Sequence, residues 1–288
     1  MKWTPGGESR NVEDRRGETA RGLGGGGLRF GVGGMLVLLV LSLLFRRNLF
    51  TLLDTSVTGG APAAGQPVGS TPQEDTLVEF VSFVLDTTQA MWGRTLPSLG
   101  AQYQDARLVL FRDGIESACG YAETASGPFY CPGDQKVYID LGFYQELKDR
   151  FGAPGDFAQA YVLAHEIGHH VQFLLGTEER VRRAQRVRPS RESDLSVRME
   201  LQADCYAGVW AQEADREHIL DVGDIDEGLN AAAAVGDDRL QRLSTGYVNP
   251  DNFTHGSSAE RAAWFRRGYT TGRPDACDTF TGSVDLAR

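Results

Sequence analysis

The chain opens without periodicity. Residues 1–29 are polar and end in a glycine run from Gly24 to Gly27, which predicts a flexible tail. From Phe30 to Phe45 no charge occurs, and Met35 to Leu41 is unbroken apolar sequence. These sixteen residues, if helical, rise about 24 Å against a hydrocarbon core of ~30 Å. Arg46 and Arg47 can carry their charges to the interface while Leu49 to Leu53 stay within it, so one membrane span is expected near residues 30–53. A cleaved signal segment is the competing reading, with Ala61-Pro62-Ala63 as a small-residue cleavage pattern lying well beyond the apolar run. Residues 54–75 are dominated by Gly, Ala, Pro, Ser and Thr and read as a linker.

Regular periodicity begins near Thr76, giving a body of residues 76–288. Leu77, Phe80, Val81, Val84 and Leu85 mark one face of a helix reaching about Trp92. Ala106–Phe111 and Lys136–Leu141 are rich in β-branched and aromatic residues and predict strands. Four helices follow. The first opens with a capping-box pattern at Asp156-Phe-Ala-Gln159 and closes near Gly176; the second covers about Asp194–Ala214. Asp224-Ile-Asp-Glu227 and Ser257-Ser-Ala-Glu260 are similar openings for the last two. A small strand region followed by helices is an α+β pattern, mainly helical.

Composition narrows the partners. At 288 residues with 41% apolar and 24% charged residues, the chain supports one sizeable core. The net charge of −10 argues against a nucleic-acid partner. Within residues 1–29, however, six cations face four anions, and only Arg46 and Arg47 follow the apolar run closely. That bias favours a cytoplasmic N-terminus and a body outside the cytoplasm. The four Cys form no CxxC pair that would suggest a zinc ribbon.

Three of the five His fall within His165-Glu-Ile-Gly-His-His170. On a helix, His165 and His169 project about 40° apart and one turn along the axis, so both can bind one Zn²⁺. Glu166 is turned about 60° from His169. It can reach a water activated by the metal, and it suits a general base better than a ligand. A catalytic site needs a third protein ligand. Glu200 and Asp204 share a helix face, so Glu200 can bind the metal while Asp204 holds the outer nitrogen of His165. A solvated acidic pair is the bland alternative. Ala203, Ala207 and Gly208 would let this helix approach the first closely. His255 is a candidate donor to a tetrahedral oxyanion, with a surface loop or an alternative ligand as competing readings. His170 reads as structural and His218 as a surface helix residue.

Together these motifs resemble the neutral zinc metallopeptidases of bacteria, a membrane-anchored family with a gluzincin-like site. The resemblance rests on Asn11-Val-Glu-Asp-Arg-Arg-Gly17, Gly127-Pro-Phe-Tyr-Cys-Pro132, Val137-Tyr-Ile-Asp140, the HExxH motif, Glu200-Leu-Gln-Ala-Asp-Cys205 and His255-Gly-Ser-Ser258. It implies a zincin layout, one zinc ion on His165, His169 and Glu200, Asp204 as their acidic support, and a polypeptide substrate. It also implies that Val137, Tyr138 and Ile139 lie on a strand that pairs with extended substrate. The adopted Cys pairing, one of three connectivities, is Cys119–Cys131 and Cys205–Cys277, with four reduced thiols as the alternative. The expected function is a single-pass, zinc-dependent endopeptidase. Its rival is a membrane-anchored binding protein that keeps the metal site and cleaves nothing. The arginines between the two motif helices, Arg180 to Arg191, read as a solvated connector, with an anionic lipid site as the sharper alternative.

Overall fold

The computed structural model describes residues 1–18, 70–123, 127–149, 152–153 and 155–281. Met1–Arg16 and Ser70–Arg288 form one unit, and Gly17–Gly69 form a second that lies almost wholly outside the described residues. The expected span near 30–53 and the linker up to residue 69 therefore lie outside them too. Among the described residues no helix is long and apolar enough to cross a membrane.

The domain is mainly helical with a small mixed sheet. Its first helix, α1 (Pro72–Thr95), starts earlier than its apolar face suggests. Thr71 caps it: its hydroxyl accepts from the Glu74 amide, and the Glu74 carboxylate accepts from the Thr71 amide. Pro72 sits at the first helical position, where its missing N–H costs nothing. The linker reading of residues 71–75 is thus replaced by a helix start.

The sheet runs β1-β2-β6-β5. Its strands are β1 (Val12–Asp14), β2 (Arg107–Phe111), β5 (Phe129–Cys131) and β6 (Lys136–Asp140), and a separate hairpin pairs β3 (Gly114–Ser117) with β4 (Gly120–Glu123). β1, β2 and β6 are parallel, and β5 is antiparallel to β6. Leu108 and Leu110 align with Val137 and Ile139 on the face buried in the main core. Val109, Phe111 and Tyr138 turn the other way, into a smaller cluster with Ile115, Ala122 and Cys131. A strand buried on both faces reads as continuous apolar sequence, which is why Leu108–Phe111 lacks alternation.

Residues 1–18 correct the flexible-tail reading. β1 pairs with β2 at Val12↔Leu108, and Leu108 donates its amide to the Asn11 carbonyl at 2.9 Å. Lys136 Nζ meets Glu13 at 2.7 Å, and Arg16 forks onto Asp14. This strand is three residues long, and its one buried side chain is Val12. Charges on an edge strand keep it from pairing elsewhere, and they also hide it from a hydropathy pattern.

Among the described residues seven more helices follow: α2 (Gly142–Asp149), α3 (Asp156–Leu174), α4 (Thr177–Val187), α5 (Glu192–Arg216), α6 (Asp224–Ala234), α7 (Asp237–Thr245) and α8 (Ser258–Thr271). The Ser257/Glu260 capping box forms as expected. The other two expected boxes do not. Gly155 and Gly223 are the caps of α3 and α6, with no side-chain cap bond. Asp156 instead receives the Met1 ammonium at 2.9 Å. Gly208 of α5 and Gly268 of α8 seat these helices against each other. A Cβ on Gly208 would stand 2.0 Å from the Phe265 carbonyl oxygen, and one on Gly268 1.9 Å from that of Cys205.

Candidate metal centre

α3 carries His165, Glu166 and His169 through the core, and α5 carries Glu200 and Asp204 past it. The close approach comes from Gly168, the small residue inside the His motif. A Cβ there would stand 3.1 Å from the Ala203 Cα and carbonyl oxygen. Ala203 therefore faces α3 as expected, while Gly208 serves the α8 contact instead. One ligand atom from each of His165, His169 and Glu200 lies within 4.8 Å of the others.

The donor set fits zinc. His165 Nε2 lies 3.2 Å from Glu200 Oε2, and His169 Nε2 lies 3.5 Å from Glu200 Oε1. Tetrahedral bonds of about 2.0–2.1 Å require ligand-to-ligand edges of about 3.3–3.4 Å, and each imidazole stands near that distance from one of the two Glu200 carboxylate oxygens. Each ring is anchored through its other nitrogen. His165 Nδ1 meets Asp204 Oδ1 at 2.9 Å, and His169 Nδ1 meets Gln172 Oε1 at 2.8 Å. Gln172 is itself fixed by donating to the Met199 carbonyl at 2.7 Å. With Nδ1–H donating outward, both Nε2 lone pairs face the centre.

The electrostatics suit a cation. Burial opposes protonation of His165, but the Asp204 and Glu200 carboxylates outweigh it and raise its pKa to about 10. Burial works against the Glu200 carboxylate as well. The charges of His169, His165 and Arg261 nevertheless hold its carboxyl far below the usual range. Asp204 is also held low against burial, chiefly by Arg261 and His165.

The centre opens into a cavity of about 740 Å³ lined by Glu166, His255, Phe129, Tyr130, Phe143, Val162 and Leu240, among others. His255 is half exposed, and its Nδ1 lies 3.2 Å from Asp237 Oδ1. The Asp237 bond raises its pKa while partial burial opposes that. Asp237 Oδ2 also accepts the backbone amides of Thr254, His255 and Gly256 at 2.7, 2.6 and 3.0 Å, fixing the loop that presents the ring.

Two sequence readings change here, the substrate strand and His218, and the structural reading of His170 holds. Val137, Tyr138 and Ile139 are buried at 0%, 2% and 0% exposure. β5 covers their strand, so β6 is interior and β5 is the terminal strand on this side. His170 is structural: its Nε2–H donates to the Gln104 carbonyl at 2.6 Å, and its Nδ1 accepts from the Tyr130 hydroxyl at 3.0 Å. His218 sits in a turn beyond α5 at a positive φ of 60° rather than on the helix. The Cys pairing holds, with Cys119–Cys131 and Cys205–Cys277 both bonded. Most of the connector arginines are locally engaged; Arg182 pairs with Glu178 and Arg183 with Glu179 one turn away.

The sequence reading missed Tyr161, Arg261 and Asp237. Tyr161 was discoverable, because it precedes His165 by one helical turn on the same face. Arg261 and Asp237 reach the site only through the folding of α8 and α7, and no local spacing announces them.

An HExxH helix and a following ExxxD helix that converge on one cation position define a candidate His₂Glu zinc centre. The family described as "Putative neutral zinc metallopeptidase" matches residues 1–280, and the chain belongs to it. It is 46% identical over 290 residues to "Uncharacterized protein YpfJ" of Escherichia coli K12, covering 99% of this chain and 100% of that one. It is 44% identical over 209 residues to "Uncharacterized protein Rv2575" of Mycobacterium tuberculosis H37Rv, covering 69% of each. No solved structure matches.

Proposed function

We propose that the protein is a zinc-dependent endopeptidase whose centre is His165, His169 and Glu200. The observation that carries the reading is the convergence of these three donors in an open cavity beside Glu166. A bound zinc would supply Lewis-acid polarisation of the scissile carbonyl and a lowered pKa for the attacking water. Glu166, on the cavity wall one residue beyond His165, accepts the proton of that water and passes it to the leaving amine. Asp237 orients the His255 ring, whose other nitrogen donates to the developing oxyanion. Extended substrate lies along β5, the terminal strand, because β6 has partners on both sides.

The reading puts the body outside the cytoplasm and does not take the apolar run near residues 30–53 as a single crossing, because residues 1–16 and 70–288 share one sheet. Two disulfides support that compartment. A cytoplasmic location for residues 1–16 is not part of it, because β1 pairs with β2. The test is Glu166→Gln against an unbiased peptide library, with zinc measured in parallel. The variant should hold one zinc per chain and lose cleavage by about 10²–10⁴-fold. Turnover at the wild-type rate would remove Glu166 from this role, and zinc without any wild-type cleavage would favour a binding protein.

A further inference from the structure

Arg261 is buried at 3% exposure, with its guanidinium beside the metal position. Its Nε donates to Asp204 Oδ2 at 2.8 Å, and its Nη2 donates to Asp204 Oδ1 at 2.9 Å. Nη2 also donates to the Tyr161 hydroxyl at 3.2 Å, and that hydroxyl donates to Asp204 Oδ1. The same nitrogen stands 3.9 Å from Glu200 Oε2. Nη1 reaches the Val235 carbonyl at 3.4 Å, so the fork is held from behind as well.

Burying a guanidinium is costly unless it is paired on several sides. A carboxylate that merely supports a ligating His needs no such partner, since one oxygen suffices for the ring N–H. Here the two-point fork fixes the plane of the Asp204 carboxylate. With both oxygens held, the group cannot swing about its Cβ–Cγ bond, and Oδ1 stays 2.9 Å from His165 Nδ1. The direction of the His165 Nε2 lone pair is thereby set from the far side of Asp204. Placement of α8 against α5 through Gly208 and Gly268 delivers Arg261 to this point.

We propose that Arg261 is a positioning residue of the metal centre. It aligns Asp204, and through it His165, and steadies the Glu200 carboxylate for the cation. The proposal rests on the assignment of His165, His169 and Glu200 as ligands. A lysine cannot replace it, because an ammonium is a point charge without a planar two-donor fork.

The test uses the full chain as wild type, Arg261→Lys and Arg261→Ala, with zinc affinity read by competition against a chromogenic chelator. Folding is checked by thermal melting of the metal-free proteins. Both variants should bind zinc about 10–100-fold more weakly. Because Arg261 lines the cavity, free guanidinium should restore affinity to Arg261→Ala, whereas ammonium at the same concentration should not. Imidazole ¹⁵N signals of zinc-loaded Arg261→Lys should show His165 losing its single Nδ1–H form. Wild-type affinity in a folded variant, or equal rescue by the two ions, would overturn the proposal. If Arg261→Ala does not fold, the affinity of Arg261→Lys decides alone. Failure of the ligand assignment is distinguishable: there, Glu200→Ala would bind zinc as tightly as wild type.

Discussion

His165 is held by Asp204 on one nitrogen and faces Glu200 with the other. Its folded, metal-free pKa is raised above the ordinary 6.5 to about 10. It therefore keeps its proton through neutral pH, and zinc must displace that proton to bind. The sign follows: zinc affinity should rise with pH below about 10, by up to ~tenfold per unit, with a proton released on binding. Calorimetry in two buffers of different ionisation enthalpy would measure the release, and affinity independent of pH would contradict it. The same shift stabilises the metal-free fold fully below about pH 6.5, and that contribution is lost as pH rises through 10. His255 offers a second test. His255→Ala should keep its zinc and lose ~10²–10³-fold in kcat, the size expected for one oxyanion donor.

The candidate ligands were legible in the sequence because their spacing is itself geometric. Four residues make a helical turn, so His165 with His169, and Glu200 with Asp204, declare a shared face before any fold is known. Arg261 and Asp237 were not legible, because they meet the site across many intervening residues. Their separations of 57 residues from Asp204 and 18 from His255 carry no period that a sequence pattern could reveal.

Between helices, small residues set the distances. Gly208 and Gly268 let backbone meet backbone, and a methyl group at either would overlap a carbonyl oxygen. Gly208→Ala should therefore cost about 1–3 kcal/mol or more in stability, read as a lower urea midpoint. Gly168→Ala is subtler. Its Cβ would press on Ala203 at 3.1 Å and push α5 outward, so the expected result is a folded protein with weaker zinc binding. The long helices were visible in the sequence from their apolar faces. β5 was not, since a three-residue strand is too short to show alternation, and this hid the fact that β6 is interior.

Across the molecule, Cys205–Cys277 ties α5 to the segment after α8 over a separation of 72 residues. Cys277→Ser should lower stability by about 2–5 kcal/mol, measured by equilibrium unfolding without reductant. Hydropathy did not reveal β1 because its contribution lies in register and ion pairs rather than apolar mass.

That strand bears on how the chain threads its surroundings. Residues 1–16 and 70–288 share one sheet, so both ends of the intervening 17–69 stretch belong to the same compartment. An odd number of bilayer crossings by that stretch would tear β1 from its neighbour; a round trip would not. Carbodiimide treatment of intact cells should join Glu13 to Lys136, now 2.7 Å apart, as an amide found by peptide mass spectrometry.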